Sequence, residues 1–288
     1  MACKLLVLLR KLAWLACLGI AGYLNAAHAD AGQLVQFNSA AVKPTPFQER
    51  NAQQNRKVLK SAPGPLLNGY LTRPPGEGPF PAVVVLHGCT GLLPDVKKTW
   101  SERLSSWGYV ALFVDSFSTR GIHETCDGNL LADRVYDAYG ALEFVSNLSF
   151  VDPRRVALAG SSAGGTTTLE AVQLGGAEQL MERKFKAAVA YYPNCSAANG
   201  DMAVPTLILI GELDDWTPAG KCREMMAERS GKGSVVQLDV FKGARHAFAS
   251  AGLKAGAEEY GHRVEYNAAA ADQAASDVRV FLKEAFGG

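Results

Sequence analysis

Residues Val156-Ala-Leu-Ala-Gly160-Ser-Ser162-Ala-Gly164-Gly constrain what this chain can fold into more than any other stretch. An apolar run of strand character passes directly into Gly-x-Ser-x-Gly, and a segment of helical character follows at once. That order specifies a sharp strand-to-helix turn that raises one hydroxyl above the edge of a sheet. Gly160 and Gly164 suit such a turn, because its two arms pass where a Cβ would clash. A serine hydroxyl is a weak nucleophile by itself, so the turn carries chemistry only if a base and an orienting acid follow it.

The surrounding pattern supplies the sheet that this turn needs. Pro81–His87, Tyr109–Val114, Val156–Ala159, Ala187–Tyr191, Pro205–Gly211 and Val235–Phe241 are short apolar or β-branched runs, as strands buried on both faces should be. Between them lie segments of helical character at Lys97–Trp107, 131–145, Ala163–Leu174 and Pro218–Arg229, with a closing one at Ala268–Phe286. Leu131, Val135, Ala138, Leu142 and Val145 recur at helical spacing. Alternating strands and helices predict an α/β protein with a mostly parallel sheet covered on both faces. The sequence shows no repeats and no second domain.

Three segments are expected. Residues 1–29 read as a signal peptide, with Lys4, Arg10 and Lys11, the apolar run Leu12–Leu24, and Ala27-His28-Ala29 as cleavage signal. Cleavage after Ala29 would leave an exported, periplasmic or secreted protein; the run is short for a membrane span. Cys17 as a lipidation site is disfavoured by Trp14, where a leucine would be wanted. Residues 30–65 read as an arm or linker with room for one edge strand, and 66–288 as the domain. Signal removal would take the net charge from +1 to about −2, so neither nucleic acid nor an anionic membrane is an expected partner.

Four cysteines remain after the signal, Cys89, Cys126, Cys195 and Cys222. An even number in an exported protein suggests two disulfides, with three pairings open and buried free thiols as the alternative. His123-x-x-Cys126 lacks a second ligand pair at zinc spacing, so no metal is expected, and no organic cofactor is implied.

Ligands of such sheets sit beyond the carboxyl ends of the strands, where the chemical candidates also fall. Ser162 follows one strand, Asp214 another and His246 a third, and the chain order Ser, Asp, His is that of the α/β-hydrolase arrangement. His246 is placed as general base, and Asp214 as the carboxylate that orients it. Ser161 and Asp215 are the neighbouring competitors, and His87, His123 and His262 fit the base role less well. The backbone amides of Cys89, in His87-Gly-Cys-Thr-Gly91, and of Ala163 are the candidate oxyanion donors, assigned by position.

With these pieces in place the chain resembles the dienelactone hydrolase family of α/β hydrolases over about residues 66–286. The resemblance rests on Phe80-Pro-Ala-Val-Val-Val-Leu-His-Gly, Gly108–Phe117, the Gly-x-Ser-x-Gly turn, Gly211-Glu-Leu-Asp-Asp-Trp-Thr-Pro218, Gly-Ala-Arg-His246-Ala-Phe, and the segment from Tyr266 to Leu282. It implies an esterase or lactonase with a small-molecule substrate. The chain departs from founding members, which carry Cys where Ser162 stands and Glu where Gly88 stands. Arg120 resembles a substrate-carboxylate arginine displaced by one residue, and Ser250 occupies the place of a second. The same topology suggests the pairs Cys89–Cys126 and Cys195–Cys222. Trp216, Phe248 and Trp100 are candidate acyl-pocket residues, with core packing as the alternative. The triad would also serve a peptidase or a polysaccharide deacetylase, and the same scaffold could be a binding protein without turnover. Oligomeric state is not legible in the sequence.

Overall fold

The computed structural model describes residues 32–41, 50–51, 54–55, 63–128, 134–254 and 256–288. The signal-peptide reading of residues 1–29 therefore falls outside the described residues. The chain builds strands β1 (Gln33–Asn38), β2 (Leu66–Thr72) and β3 (Phe80–Leu86), helix α1 (Pro94–Ser106), β4 (Val110–Asp115), α2 (Arg134–Ser146), β5 (Val151–Ser161) and α3 (Ala163–Val172). It continues through β6 (Ala187–Tyr191), β7 (Thr206–Gly211), α4 (Ala219–Glu228), β8 (Val236–Phe241), the short strands β9 (Ala257–Glu259) and β10 (His262–Val264), and α5 (Ala268–Ala285).

Eight strands form one sheet in the order β1-β2-β4-β3-β5-β6-β7-β8. β1 and β2 pair antiparallel, β2 also runs antiparallel to β4, and the rest of the sheet is parallel. The expected edge strand in the arm exists as β1, so the sheet begins at Gln33 rather than at residue 66. β5 is longer than the expected four residues, because Val151 pairs with Phe80 ahead of the regular register that starts at Ala82 and Val156. The central strands are dry: Val84, Leu112, Leu158, Val189 and Ile208 are fully buried. Both sheet faces must then be covered, and the crossover helices do this. α2 packs against α3, while α1 and α5 meet where Arg279 lies over the Trp107 ring, 5.9 Å from its centroid. α1 opens on Pro94, whose missing N–H costs nothing at a first helical position. α5 is capped by Asn267, whose side chain accepts from the Ala270 amide at 3.1 Å.

Sheet order explains where a site can form. From β3 the chain crosses to β4 on one side and then returns to β5 on the other. Right-handed crossovers in opposite directions leave a crevice beyond the carboxyl ends of β3 and β5. The loop after β3 and the turn after β5 are its two walls. A separate apolar cleft of about 480 Å³ lies between β1 and α2, lined in part by Phe37, Tyr136, Phe144 and Leu180, and contains none of Ser162, Asp214 and His246.

Leu158 sits at the middle of this dry sheet. Leu158→Ala should lower the free energy of unfolding by about 2–5 kcal/mol, measured by urea titration. A loss below about 1 kcal/mol would contradict a close-packed centre at β5.

Candidate active site

The turn after β5 takes the predicted form. Ser162 has φ 53° and ψ −120°, an unfavourable backbone for any residue with a Cβ. It is held there by its own amide, which donates to the Tyr191 carbonyl at 2.9 Å, and by its carbonyl, which accepts from the Thr166 amide at 2.9 Å. A Cβ on Gly160 would lie 2.2 Å from the Gly164 carbonyl oxygen, and one on Gly164 would lie 2.5 Å from the carbonyl oxygens of Leu86 and His87. The two glycines thus let α3 close against both β5 and the end of β3.

Above this turn Ser162, His246 and Asp214 form a continuous hydrogen-bonded row. His246 Nε2 lies 3.0 Å from Ser162 Oγ, and His246 Nδ1 lies 2.8 Å from Asp214 Oδ2. His246 and Asp214 are buried. A buried carboxylate needs compensating donors, and Asp214 has them. Its Oδ1 accepts the amides of Trp216 at 3.0 Å and Thr217 at 2.8 Å, and the Thr217 hydroxyl is 3.0 Å from Oδ2. The same hydroxyl lies 3.1 Å from the Tyr192 carbonyl oxygen, the alternative acceptor for its single proton. Asp215 points elsewhere, 3.7 Å from His262 Nδ1. The His246 ring packs between Tyr192 and Trp216, with centroids 4.9 and 5.0 Å away. Ser161 faces the Tyr192 hydroxyl instead, as does Ser250, and burial pushes that phenol up to about 12.

The loop after β3 forms the opposite wall. A methyl on Gly88 would sit 3.6 Å from Ser162 Cβ, so the residue ahead of Cys89 lies against the serine. The Ala163 amide is the first of α3, where no intrahelical carbonyl can accept it. The loop is braced from below by His87. Burial is the main cause that pulls this imidazole down to about 3, aided by the Arg134 charge, so it is neutral. Nδ1–H of His87 donates to the Gly88 carbonyl at 2.7 Å, and Nε2 accepts the Ser116 amide at 3.3 Å. Arg134, buried and pulled down to about 10 chiefly by desolvation, remains a cation and donates through Nη2 to the His87 carbonyl at 2.5 Å.

Other expected residues find different places. Arg120 does not reach for a substrate carboxylate: its guanidinium forms a two-pronged pair with buried Asp137 at 2.7 and 2.8 Å and also donates to the Ser116 carbonyl. A substrate carboxylate would have to compete with this ion pair. Phe248 is fully buried and Trp100 packs on Tyr191 and Trp107, so both belong to the packing. Trp216 lines the His246 side and stacks on His262, with centroids 5.0 Å apart. Cys89 is disulfide-bonded to Cys126, and Cys195 to Cys222. Among the described residues no group of His, Cys, Asp and Glu side chains could hold a metal. Thr217, Tyr192 and Arg134 escaped the sequence reading. Thr217 alone carried a local signal, an aspartate three residues ahead whose side chain can take the turn amides.

Several known proteins are similar to this chain. The sequence model of the dienelactone hydrolase family matches residues 67–286. A protein of Aquifex aeolicus (strain VF5) provisionally designated a carboxymethylenebutenolidase is 26% identical over 206 residues, covering 64% of this chain and 83% of that one. Lipase 1 of Moraxella sp. (strain TA144) is 27% identical over 181 residues, 59% of this chain and 49% of the lipase. Among solved structures, Thermogutta terrifontis esterase 2 phosphorylated by paraoxon superposes with a TM-score of 0.59 at 20% identity, over 79% of this chain and 92% of that one. That last likeness is one of fold.

A neutral buried His87 has a thermodynamic signature. The unfolded chain takes up a proton near the ordinary value of 6.5, whereas the folded chain does so only near 3. Between these values the unfolded state binds more protons, so this group's contribution to stability falls as pH falls, by about 1.4 kcal/mol per pH unit. His87→Gln should flatten the unfolding free energy between pH 6 and pH 4 by about that slope. Identical slopes in the two proteins would mean that His87 is protonated in the fold.

Proposed function

Because the chain belongs to the dienelactone hydrolase family, we propose that it hydrolyses carboxylic esters or lactones through an acyl-Ser162 intermediate, as a serine carboxylesterase. One observation carries this reading: the unbroken row from Ser162 Oγ through His246 to the buried Asp214 carboxylate. The names of the two sequence relatives, a carboxymethylenebutenolidase and a lipase, support an ester or lactone as the bond cleaved.

The steps follow from the distances. Ser162 Oγ attacks the acyl carbon while His246 Nε2, 3.0 Å away, takes the hydroxyl proton. Nδ1–H stays on Asp214, which fixes the tautomer and balances the imidazolium that forms. The amides of Cys89 and Ala163 meet the developing oxyanion, a contribution of about 3–4 kcal/mol for a well-placed donor. As the tetrahedral adduct collapses, the alkoxide leaves with the proton from His246. Water then attacks the acyl carbon, His246 takes its proton, and Ser162 is released with the carboxylic acid. The positive φ of Ser162 lifts Oγ clear of the sheet for both attacks.

Trp216, against the catalytic imidazole, borders the leaving-group side, since His246 must reach the leaving oxygen. Two disulfides support export to an oxidising compartment, and no helix among the described residues is long and apolar enough to cross a membrane.

A short nitrophenyl ester tests the reading. Ser162→Ala should cut kcat by at least about 10⁴-fold, and turnover unchanged by it would sink the seryl mechanism. Thr217→Val removes a hydrogen bond to the Asp214 carboxylate and should lower kcat about 10- to 100-fold with little change in KM. Wild-type kcat in that variant would remove Thr217 from the orienting set.

A further inference from the structure

The loop carrying the Cys89 amide is held by the stretch that follows β4. Ser116 donates its amide to His87 Nε2 at 3.3 Å, and the Phe117 ring meets the His87 ring edge-on with centroids 4.4 Å apart. These contacts settle the start of the loop, at His87. Cys89 itself is tied at two points further along: its carbonyl accepts the Thr125 amide at 2.9 Å, and its sulfur is bonded to Cys126. Between Phe117 and Thr125 the chain is tied by the Arg120–Asp137 ion pair and is otherwise largely exposed. Ser118, Thr119, Gly121, His123 and Glu124 are all exposed, so the segment bearing Thr125 and Cys126 has few apolar anchors. The disulfide closes a span of 37 residues and is the covalent tie at Cys89.

We propose that the Cys89–Cys126 disulfide is a positioning element of the oxyanion hole, so that ester hydrolysis requires this bond to be closed. The inference rests on the reading of Cys89 as an oxyanion donor. A donor acts over a narrow range, about 2.7–3.1 Å from the oxyanion, and removing one costs about 10²–10³ in kcat. Opening the bond leaves the Cys89 carbonyl with one hydrogen bond from the exposed end of this segment, and the amide loses its fixed aim. His87 and Arg134 keep the beginning of the loop in place, so the fold is retained while the donor is misplaced.

The second disulfide is an internal control. Cys195 and Cys222 are buried, whereas Cys126 is partly exposed and open to a reductant. A dithiol would attack Cys126 Sγ as its thiolate, forming a mixed disulfide and releasing the Cys89 thiolate. Its second thiolate then attacks the mixed disulfide, freeing Cys126 and leaving the reductant as a cyclic disulfide. Two electrons and two protons pass from the dithiol to the two cysteines.

The experiment titrates oxidised full-length enzyme with dithiothreitol while thiol-alkylation mass spectrometry reports which pair has opened. As Cys89–Cys126 opens, kcat should fall 10- to 100-fold with KM within about threefold. Affinity for a trifluoromethyl ketone, which forms a tetrahedral adduct with an oxyanion, should fall in parallel, and reoxidation should restore both. Cys126→Ser should reproduce the loss without reductant while melting above the assay temperature. Opened or Cys126→Ser enzyme that keeps kcat and ketone affinity within twofold overturns the inference, as does a loss that tracks unfolding or appears in KM alone. Oxidised wild type inert on every short ester overturns the ester reading and this inference with it; active oxidised enzyme indifferent to reduction overturns this inference alone.

Discussion

The site hangs on one close approach, the packing of Gly164 against the carbonyl oxygens of Leu86 and His87. It joins the start of α3 to the end of β3, and so brings the Ser162 turn against the loop that follows β3. With Gly160 facing the Gly164 carbonyl on the other arm, there is no room for side chains at either position. The positive φ of Ser162 is unfavourable in isolation and is stable here because its amide, its carbonyl and the packing on both sides determine the conformation together. The sheet gives the rigidity: β5 lies between β3 and β6 with its core residues dry, and a rigid neighbour is what lets a strained turn persist.

The charges around this turn divide into two systems. On one side the Asp214 carboxylate is buried and satisfied by two amides, the Thr217 hydroxyl and His246. These bonds hold the carboxyl group in place against the imidazole. On the other side a neutral imidazole, His87, links Ser116 to Gly88, and the Arg134 cation donates to the His87 carbonyl. Two histidines thus occupy the two walls in different roles. His246 reaches a hydroxyl, whereas both nitrogens of His87 are engaged by backbone, which leaves it no proton to exchange with a substrate.

Much of this was legible along the chain. The Ser162 turn announced itself because its strand, glycines and helix are contiguous, and His246 and Asp214 each follow an apolar strand whose end can be read from a Gly or a turn. Asp214 could be preferred over Asp215 only by place in the loop, and the structure separates them by direction: one carboxylate meets His246, the other faces His262. Arg120, an arginine in a loop beside a site, looks available along the chain, whereas the structure pairs it with buried Asp137, a helix away. Tyr192 and Arg134 had no local signal at all, since their roles come from packing against residues far along the chain.

Local pattern and chain order determined the fold class, the strand-to-helix turn and the residue types of the triad, because each depends on neighbours in sequence or on strands alternating with helices. The family resemblance added two cysteine pairs, and the structure closes both of them. Tertiary structure alone decided which carboxylate orients the imidazole, that His87 is neutral, that Arg120 is consumed by an ion pair, and that the strap after β4 embraces the loop after β3. Those outcomes depend on distances between segments tens of residues apart and on which groups lose water when they meet, and neither quantity is written in any local stretch of the chain.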